Sequence, residues 1–212
     1  MDFDFSDDQQ QLRDAVARWV DKGYTFERRR SIVEAGGFSR EVWGELAELG
    51  LTALTVPEEH GGLGLGATDV MVVMEELGRG LVMEPLAQAF VAAGVLGKHA
   101  DASVAGQWLP HLASGEALVV LAHQERQARY RLDVCAAKAS KSGSGYAVDA
   151  TKSVVPAGDA ADAFLVPAQL DGKIALFLVE RGASGVSTQG YRTQDGSRAA
   201  ELRCQAAPDR KS

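Results

Sequence analysis

Hydrophobic residues recur at helical spacing through the first half of the chain. Ser6 and Gln9 form the signature of a capping box, and the apolar positions after them predict an amphipathic helix over residues 6–22. A second helix is predicted from Ser39 to Gly50, because glycine readily adopts the left-handed conformation that ends a helix. Three more helices are predicted to begin at Thr68 or Asp69, to follow Pro85, and to include Trp108.

The pattern changes to short β-type runs after about residue 116. The runs ALVVLAH, YAVDATKSVV, AFLVPAQL, KIALFLVE and RAAELRC are separated by turn signals such as Asp171-Gly172. Short strands joined by turns are typical of an antiparallel sandwich or barrel. The predicted fold class is therefore α+β, with an all-helical domain over residues 1–115 and an antiparallel β-sandwich or barrel domain over residues 116–212 that is truncated at its end.

Composition narrows the possible partners and compartments. No run of about 18 apolar residues occurs and the N-terminus is acidic, so we expect a soluble, cytoplasmic protein without a membrane partner. Residues 1–115 carry 18 acidic and 9 basic side chains, which argues against nucleic acid as a partner. Cys135, Cys204 and the four histidines lack metal-ligand spacing, so no metal site is predicted.

A glycine-rich segment, TVPEEHGGLGLGATDV, spans residues 55–70. Gly62, Gly64 and Ala67 satisfy a relaxed dinucleotide-binding pattern, but such a site needs a strand that runs directly into the glycines. Pro57 and two carboxylates stand there instead, and the carboxylates would repel a phosphate. A tight hinge between helices is therefore favoured over a phosphate cradle.

Three segments carry a family resemblance: LGLTALTVPEEHGGLGLGATDVMVVMEELGR at 49–79, GYAVDATKSVVPAGDAADAFLV at 145–166, and LFLVERGASGVS at 176–187. Together they resemble the acyl-CoA dehydrogenase family. The resemblance covers the first two of the family's three domains and implies that the C-terminal four-helix bundle is absent. AHQERQARY and GYRTQDGSRAAEL are most similar to small subunits of heteromeric bacterial acyl-CoA dehydrogenases, such as pimeloyl-CoA dehydrogenase.

The resemblance implies an FAD-dependent oxidoreductase of fatty acid metabolism. In the family, the α-proton of an acyl-CoA thioester is removed and the β-hydrogen passes as hydride to the flavin. The family's catalytic glutamate usually lies in the bundle, so no residue of this chain is nominated as catalytic, and the isolated chain is expected to be inert. A homo- or hetero-oligomer with another acyl-CoA dehydrogenase subunit is expected. The alternative is a non-catalytic interaction subunit, or a truncated product, that docks on a complete dehydrogenase.

Two family motifs place the flavin on the β domain. The first, of the type T-E-P-x-x-G-S-D, corresponds to residues 124–131, where Glu125 alone is retained. The second, an aromatic residue followed by Ile-Thr, corresponds to residues 154–156, where the aromatic ring and the hydroxyl are lost. Main-chain contacts are expected to persist. The cofactor-binding residues implied by the resemblance are Leu121, His123, Gln124, Tyr130, Val154 and Pro156.

Other charged residues leave alternatives open. Arg126, Arg129 and Arg131 are predicted to share a strand face, where they would hold a CoA phosphate or a substrate carboxylate. The alternatives are a solvated strand face or a salt bridge to another subunit. Lys152 occupies a family lysine position, and it is either a structural ion-pair partner or a cofactor contact. Glu84 falls near the acyl pocket of relatives, with a capping or surface role as the alternative.

Overall fold

A computed structural model describes residues 4–129 and 131–209. Within these residues, six α-helices precede seven strands. A short 3₁₀-helix, Glu58–His60, lies between α3 and α4. The helices are α1 (Asp7–Gly23), α2 (Phe26–Ala35), α3 (Arg40–Glu48), α4 (Ala67–Arg79), α5 (Leu86–His99) and α6 (Ala102–Ala113).

The capping signals place most of the helices correctly. Ser6 accepts from the Gln9 N–H at 3.2 Å, and the Gln9 side chain accepts from the Ser6 N–H at 3.1 Å, so the predicted capping box is confirmed. Helix α4 begins earlier than predicted, because the Asp69 carboxylate accepts from the N–H of Gly66 at 3.0 Å and makes Gly66 the N-cap. Helix α2 was not predicted. Its sequence, FERRRSIVEA, buries Ile32 and otherwise presents a mostly charged surface.

The strands form one curled mixed sheet with the order β1-β4-β2-β3-β7-β6, and β5 pairs with β4. The predicted α+β fold class, helices followed by a β module, is confirmed. Two pairings are parallel, since both β1 and β2 run alongside β4 in the same direction. The strands are β1 (Val119–Leu121), β2 (Lys138–Ser142), β3 (Gly145–Pro156), β4 (Ala163–Leu170), β5 (Lys173–Glu180), β6 (Val186–Arg192) and β7 (Arg198–Pro208).

The helices and the sheet share a continuous apolar core. Trp43 and Leu46 of α3 belong to the same buried cluster as Val120 of β1 and Phe164 of β4. The indole N–H of Trp43 also donates to the carbonyl oxygen of Gly115 at 2.9 Å. Helix α3 therefore holds the chain where it leaves the helices and enters β1, and this fixes the start of the segment that carries the candidate site. No described helix is long and apolar enough to cross a membrane.

Candidate functional site

The two segments with flavin-motif resemblance lie side by side. The Ser153 N–H donates to the carbonyl oxygen of Gln124 at 2.9 Å, which joins the chain after β1 to strand β3. Leu121 and His123 are half-buried, whereas Gln124, Val154 and Pro156 are exposed. The structure therefore brings these five predicted residues to neighbouring segments. Tyr130, the sixth, lies outside the described residues.

Three backbone donors at this junction have no partner among the described residues. The N–H groups of His123, Gln124 and Glu125 donate to no atom of residues 4–129 and 131–209. The preceding amide, that of Ala122, donates to the Leu165 carbonyl at 2.9 Å and so anchors the segment to β4. Because backbone N–H groups nearly always have a partner, three consecutive free donors are available to an external ligand with acceptor atoms.

Val154 has an unusual backbone conformation. Its φ is 51°, in the left-handed region that a β-branched residue rarely adopts. The pairing of β3 with β7 shifts register between Lys152 and Val155, which marks a β-bulge at this point. Bulges re-aim side chains, and here the Val154 side chain is 47 % exposed next to buried Val155.

Below this surface lies a buried ion pair. Lys152 Nζ is 2.6 Å from Glu125 Oε1, and the two side chains are 0 % and 6 % exposed. Glu125 also accepts from the amides of Ala136 at 2.6 Å and Ala137 at 3.2 Å. Burial raises the pKa of Glu125, but the hydrogen bonds from Lys152 and these amides outweigh it and hold that pKa below its ordinary value. For Lys152 the structure thus shows the ion pair, with the ammonium shielded from solvent.

The arginine prediction was wrong in its geometry. Residues 126–129 form a turn rather than a strand, because the N–H groups of Ala128 and Arg129 both donate to the Glu125 carbonyl. Arg129 has a φ of 52°. Arg126 lies 3.4 Å from Glu201, and Arg131 lies 2.5 Å from Asp133. Arg126 and Arg131 therefore form ion pairs within the chain at its surface, and the three side chains share no strand face.

A cleft of about 440 Å³ opens beside the ion pair. This volume falls in the range of small-molecule sites. Asp149, Thr151 and Ser153 follow one another at alternate positions along β3 and supply polar groups to the cleft wall. The sequence prediction missed them, although the alternation in YAVDATKSVV was the available signal. The cleft is lined by Glu125, Arg126, Gln127, Ala136, Ala137, Asp149, Ala150, Thr151, Ser153 and Cys204.

The glycine-rich segment is a tight turn and not a phosphate site. The amides of Leu63, Gly64 and Leu65 donate to carbonyls of residues 53–56 at 2.8–2.9 Å, so they are unavailable to a phosphate. A Cβ added at Gly62 would lie 1.9 Å from the Val56 carbonyl oxygen, so a side chain there cannot be accommodated without backbone movement. The hinge interpretation is confirmed.

Glu84 is buried at the start of α5. Its Oε1 accepts from the Ser39 N–H at 3.3 Å, and burial raises the pKa of its carboxyl. The surface alternative for this residue was therefore wrong, because the Glu84 side chain is buried. Its carboxylate accepts a hydrogen bond from Ser39, the N-cap residue of α3.

The fold is a helical module followed by a curled mixed sheet, and the two motif segments lie side by side on that sheet. The family model "Acyl-CoA dehydrogenase, N-terminal domain" matches residues 6–116, and the chain belongs to this family. The chain is 31 % identical over 195 residues to acyl-CoA dehydrogenase FadE27 of Mycobacterium tuberculosis, and the match covers 91 % of this chain and 51 % of the relative. The chain spans about half the length of the curated relatives it matches.

Solved structures show the same likeness. A chain of the ChsE4–ChsE5 complex from Mycobacterium tuberculosis superposes with a TM-score of 0.89 at 30 % identity, covering 98 % of this chain and 56 % of that one. A glutaryl-CoA dehydrogenase from Mycobacterium smegmatis in complex with FADH2 superposes with a TM-score of 0.82 at 20 % identity, covering 97 % and 54 %. At that identity the second match supports the fold alone.

Proposed function

We propose that the chain is a component of a flavin-dependent acyl-CoA dehydrogenase that contributes the helical domain, residues 1–115, and the β domain, residues 116–212. The observation that carries this proposal is the junction of the two motif segments, joined by the Ser153–Gln124 hydrogen bond above the Glu125–Lys152 ion pair. Family membership supplies the reaction class. The β module then serves as the surface on which the cofactor is held.

The residues present fit FAD through the main chain. The free N–H groups of His123 and Gln124 match the acceptor atoms along a flavin edge, and the outward side chain of Val154 offers an apolar contact for a ring. Pro156 has no N–H, so it contributes shape and not a donor. When bound, FAD accepts the hydride that leaves the acyl chain. The residues proposed to hold it are Leu121, His123, Gln124, Tyr130, Val154 and Pro156.

Proton abstraction requires a carboxylate that the motif segments do not offer. Glu125 lies in the first segment, but its oxygens are occupied by Lys152 and two amides. Its lowered pKa also makes it a poor base. We therefore propose that the chain binds and orients an acyl-CoA and FAD but does not turn over alone.

Docking on another acyl-CoA dehydrogenase subunit is the second candidate. Leu63, Met71 and Val91, on the glycine-rich turn and on α4 and α5, are each about half exposed. Contiguous exposed apolar patches of more than a few hundred Å² mark interaction sites, and the docking candidate requires these side chains to belong to one such patch. The ChsE4–ChsE5 match is itself a complex of two proteins. A homo- or hetero-oligomer is accordingly proposed, with acyl-CoA as the substrate of the assembly.

The absorption spectrum separates the two candidates. The purified chain is titrated with FAD and the flavin absorbance of the bound fraction is recorded after gel filtration. Retained flavin that an acyl-CoA does not reduce, with no turnover when an electron acceptor is added, supports the flavin-binding proposal. Absence of retained flavin, together with a stable oligomer in light scattering, would favour the docking subunit. Robust turnover by the isolated chain would refute the claim that it is inert.

A further inference from the structure

Four separate parts of the chain meet at the Glu125–Lys152 ion pair. Glu125 lies in the segment that follows β1, and its carboxylate binds Lys152 of β3 and the amides of Ala136 and Ala137. The Lys152 ammonium also donates to the carbonyl oxygen of Pro167 in β4 at 2.7 Å. One buried pair therefore bonds the post-β1 segment, residues 136–137, β3 and β4 at a single point.

Stability alone does not account for charges at this position. Taking a carboxylate and an ammonium out of water costs several kcal/mol per ion, and apolar residues of similar volume often serve as well or better. The pair also fixes the relative orientation of several segments, because each of its short hydrogen bonds holds a different one. Such a role is best established where a buried polar group selects one of several packings.

The pair adjoins the proposed cofactor surface on both sides. Glu125 directly follows Gln124, and its own N–H is one of the three free donors. Lys152 directly precedes Ser153, whose N–H bonds the Gln124 carbonyl, and the bulge at Val154 starts there. The Lys152 ammonium is shielded from solvent, and the Glu125 side chain is only 6 % exposed at the cleft wall, with both carboxylate oxygens bonded inside the protein.

We propose that Glu125 and Lys152 are positioning residues, which hold the free amides of residues 123–125 in register with the Val154 bulge. Mutation of the residues that orient metal ligands typically weakens metal binding by roughly 10- to 100-fold, and we expect an effect of the same order for residues that orient the free amides. The cofactor part of this inference rests on the proposed flavin site. Its structural part, the docking of the post-β1 segment on β3, can be tested without any ligand.

The test compares two double variants of the full chain. The first, Glu125→Gln with Lys152→Met, removes both charges and keeps the side-chain lengths. The control, Glu45→Gln with Arg28→Met, removes an equally short pair, at 2.5 Å, that joins α3 to α2 away from the β module. Amide hydrogen exchange is followed at Ser153, whose N–H donates to the Gln124 carbonyl, and at Ala122, whose N–H donates to the Leu165 carbonyl. FAD affinity is measured by titration.

We expect the first variant to keep its helical circular dichroism while the Ser153 and Ala122 amides exchange at least about tenfold faster and FAD binds at least about tenfold more weakly. The control should leave both quantities unchanged. Unaltered exchange at Ser153 with unaltered FAD affinity would overturn the proposal. If the wild type binds no FAD, the proposed function fails, and amide exchange alone decides the positioning role.

Should the double variant not fold, Glu125→Asp provides the decision. It keeps the charge but shortens the side chain, so one carboxylate can no longer reach both Lys152 and the two amides. Faster Ser153 exchange in a folded Glu125→Asp protein supports positioning, and exchange equal to that of the wild type overturns it.

Discussion

Ser153 and Gln124 are joined by a backbone hydrogen bond of 2.9 Å that fixes β3 beside the segment after β1. It leaves the N–H of Gln124 free while its carbonyl is occupied. The segment therefore has one polar group bound inside the protein and another open to a ligand. This division separates the contribution of the Gln124 main chain from that of its side chain.

Replacement of Gln124 distinguishes the two contributions. Gln124→Pro removes the free N–H, and we expect it to weaken FAD binding by about tenfold, the value of one hydrogen bond of roughly 1–1.5 kcal/mol. Gln124→Ala keeps the N–H and should bind FAD like the wild type. Titration of both variants, with thermal unfolding to verify the fold, makes the comparison. Equal loss in the two variants would show that the side chain carries the contact.

Removing one partner of the buried ion pair should be strongly destabilising. Glu125→Gln leaves the Lys152 ammonium buried without a counter-charge, so we expect the free energy of unfolding to fall by about 3–5 kcal/mol. Urea denaturation followed by tryptophan fluorescence measures this change. Arg131→Gln, which removes an exposed pair with Asp133, should leave the free energy of unfolding nearly unchanged, because solvent screens exposed charges. A similar small loss for Glu125→Gln would contradict the burial of the charge.

Two buried carboxyl groups, those of Glu125 and Glu84, should make the free energy of unfolding depend on pH in opposite directions. The pKa of Glu125 is lowered in the folded chain, so its contribution is present above the ordinary glutamate pKa and is lost as the pH falls through the folded value. The pKa of Glu84 is raised, so its contribution is present at low pH and is lost as the pH rises through its folded value.

Glu84→Gln isolates the second effect. The amide cannot ionise, so the variant should gain stability relative to the wild type as the pH rises above the ordinary glutamate pKa of about 4.3. Urea midpoints measured at several values between about pH 4 and 8 give the difference curve. A difference that does not change with pH would show that Glu84 titrates normally.

Gly62 and Gly94 form a matched pair for substitution by alanine. A Cβ at Gly62 would lie 1.9 Å from the Val56 carbonyl oxygen, so Gly62→Ala should destabilise the chain by about 1–3 kcal/mol. Gly94 lies inside α5 with no heavy atom within 4 Å of an added Cβ, and Gly94→Ala should stabilise by up to about 1 kcal/mol. Thermal unfolding of both variants tests the pair. A harmless Gly62→Ala would contradict the tight turn.

Val154→Gly tests the strained bulge. Glycine adopts positive φ at little cost, so we expect the variant to be as stable as the wild type or more stable by about 1 kcal/mol, although a partly exposed apolar side chain is lost. If the side chain contacts the flavin, FAD affinity should fall at the same time. Opposite changes in melting temperature and FAD affinity would support a strained residue retained for binding.

Local signals explain which elements could be predicted. Both residues of the capping box, Ser6 and Gln9, lie within four positions of each other in the sequence, and α1 begins directly after Ser6 as they predict. Strands β2 and β6 were missed because KASKS and VSTQGYR are largely exposed and lack an apolar alternation. Their positions are set by pairing with β3 and β7, which is tertiary information that a single segment does not contain.

The candidate site was predictable only in part. The resemblance identified the two motif segments, but the turn at residues 126–129 depends on the Glu125 carbonyl and could not be seen in the spacing of the arginines. Likewise, the burial of Lys152 follows from its contact with Pro167, which is distant in sequence. The sequence of β3 has an ordinary alternating pattern, which does not predict the bulge at Val154.

The parallel pairing of β1 with β4 bears on how the chain is made. Val119 lies opposite Ala163, so β1 can pair only after β4, which is synthesised more than 40 residues later, has left the ribosome. Until then, its buried valines depend on the newly formed helices for cover, and α5 already contacts β1. Pairings between distant segments are slow to form. We therefore expect the helices to shelter the nascent β1 from aggregation during translation.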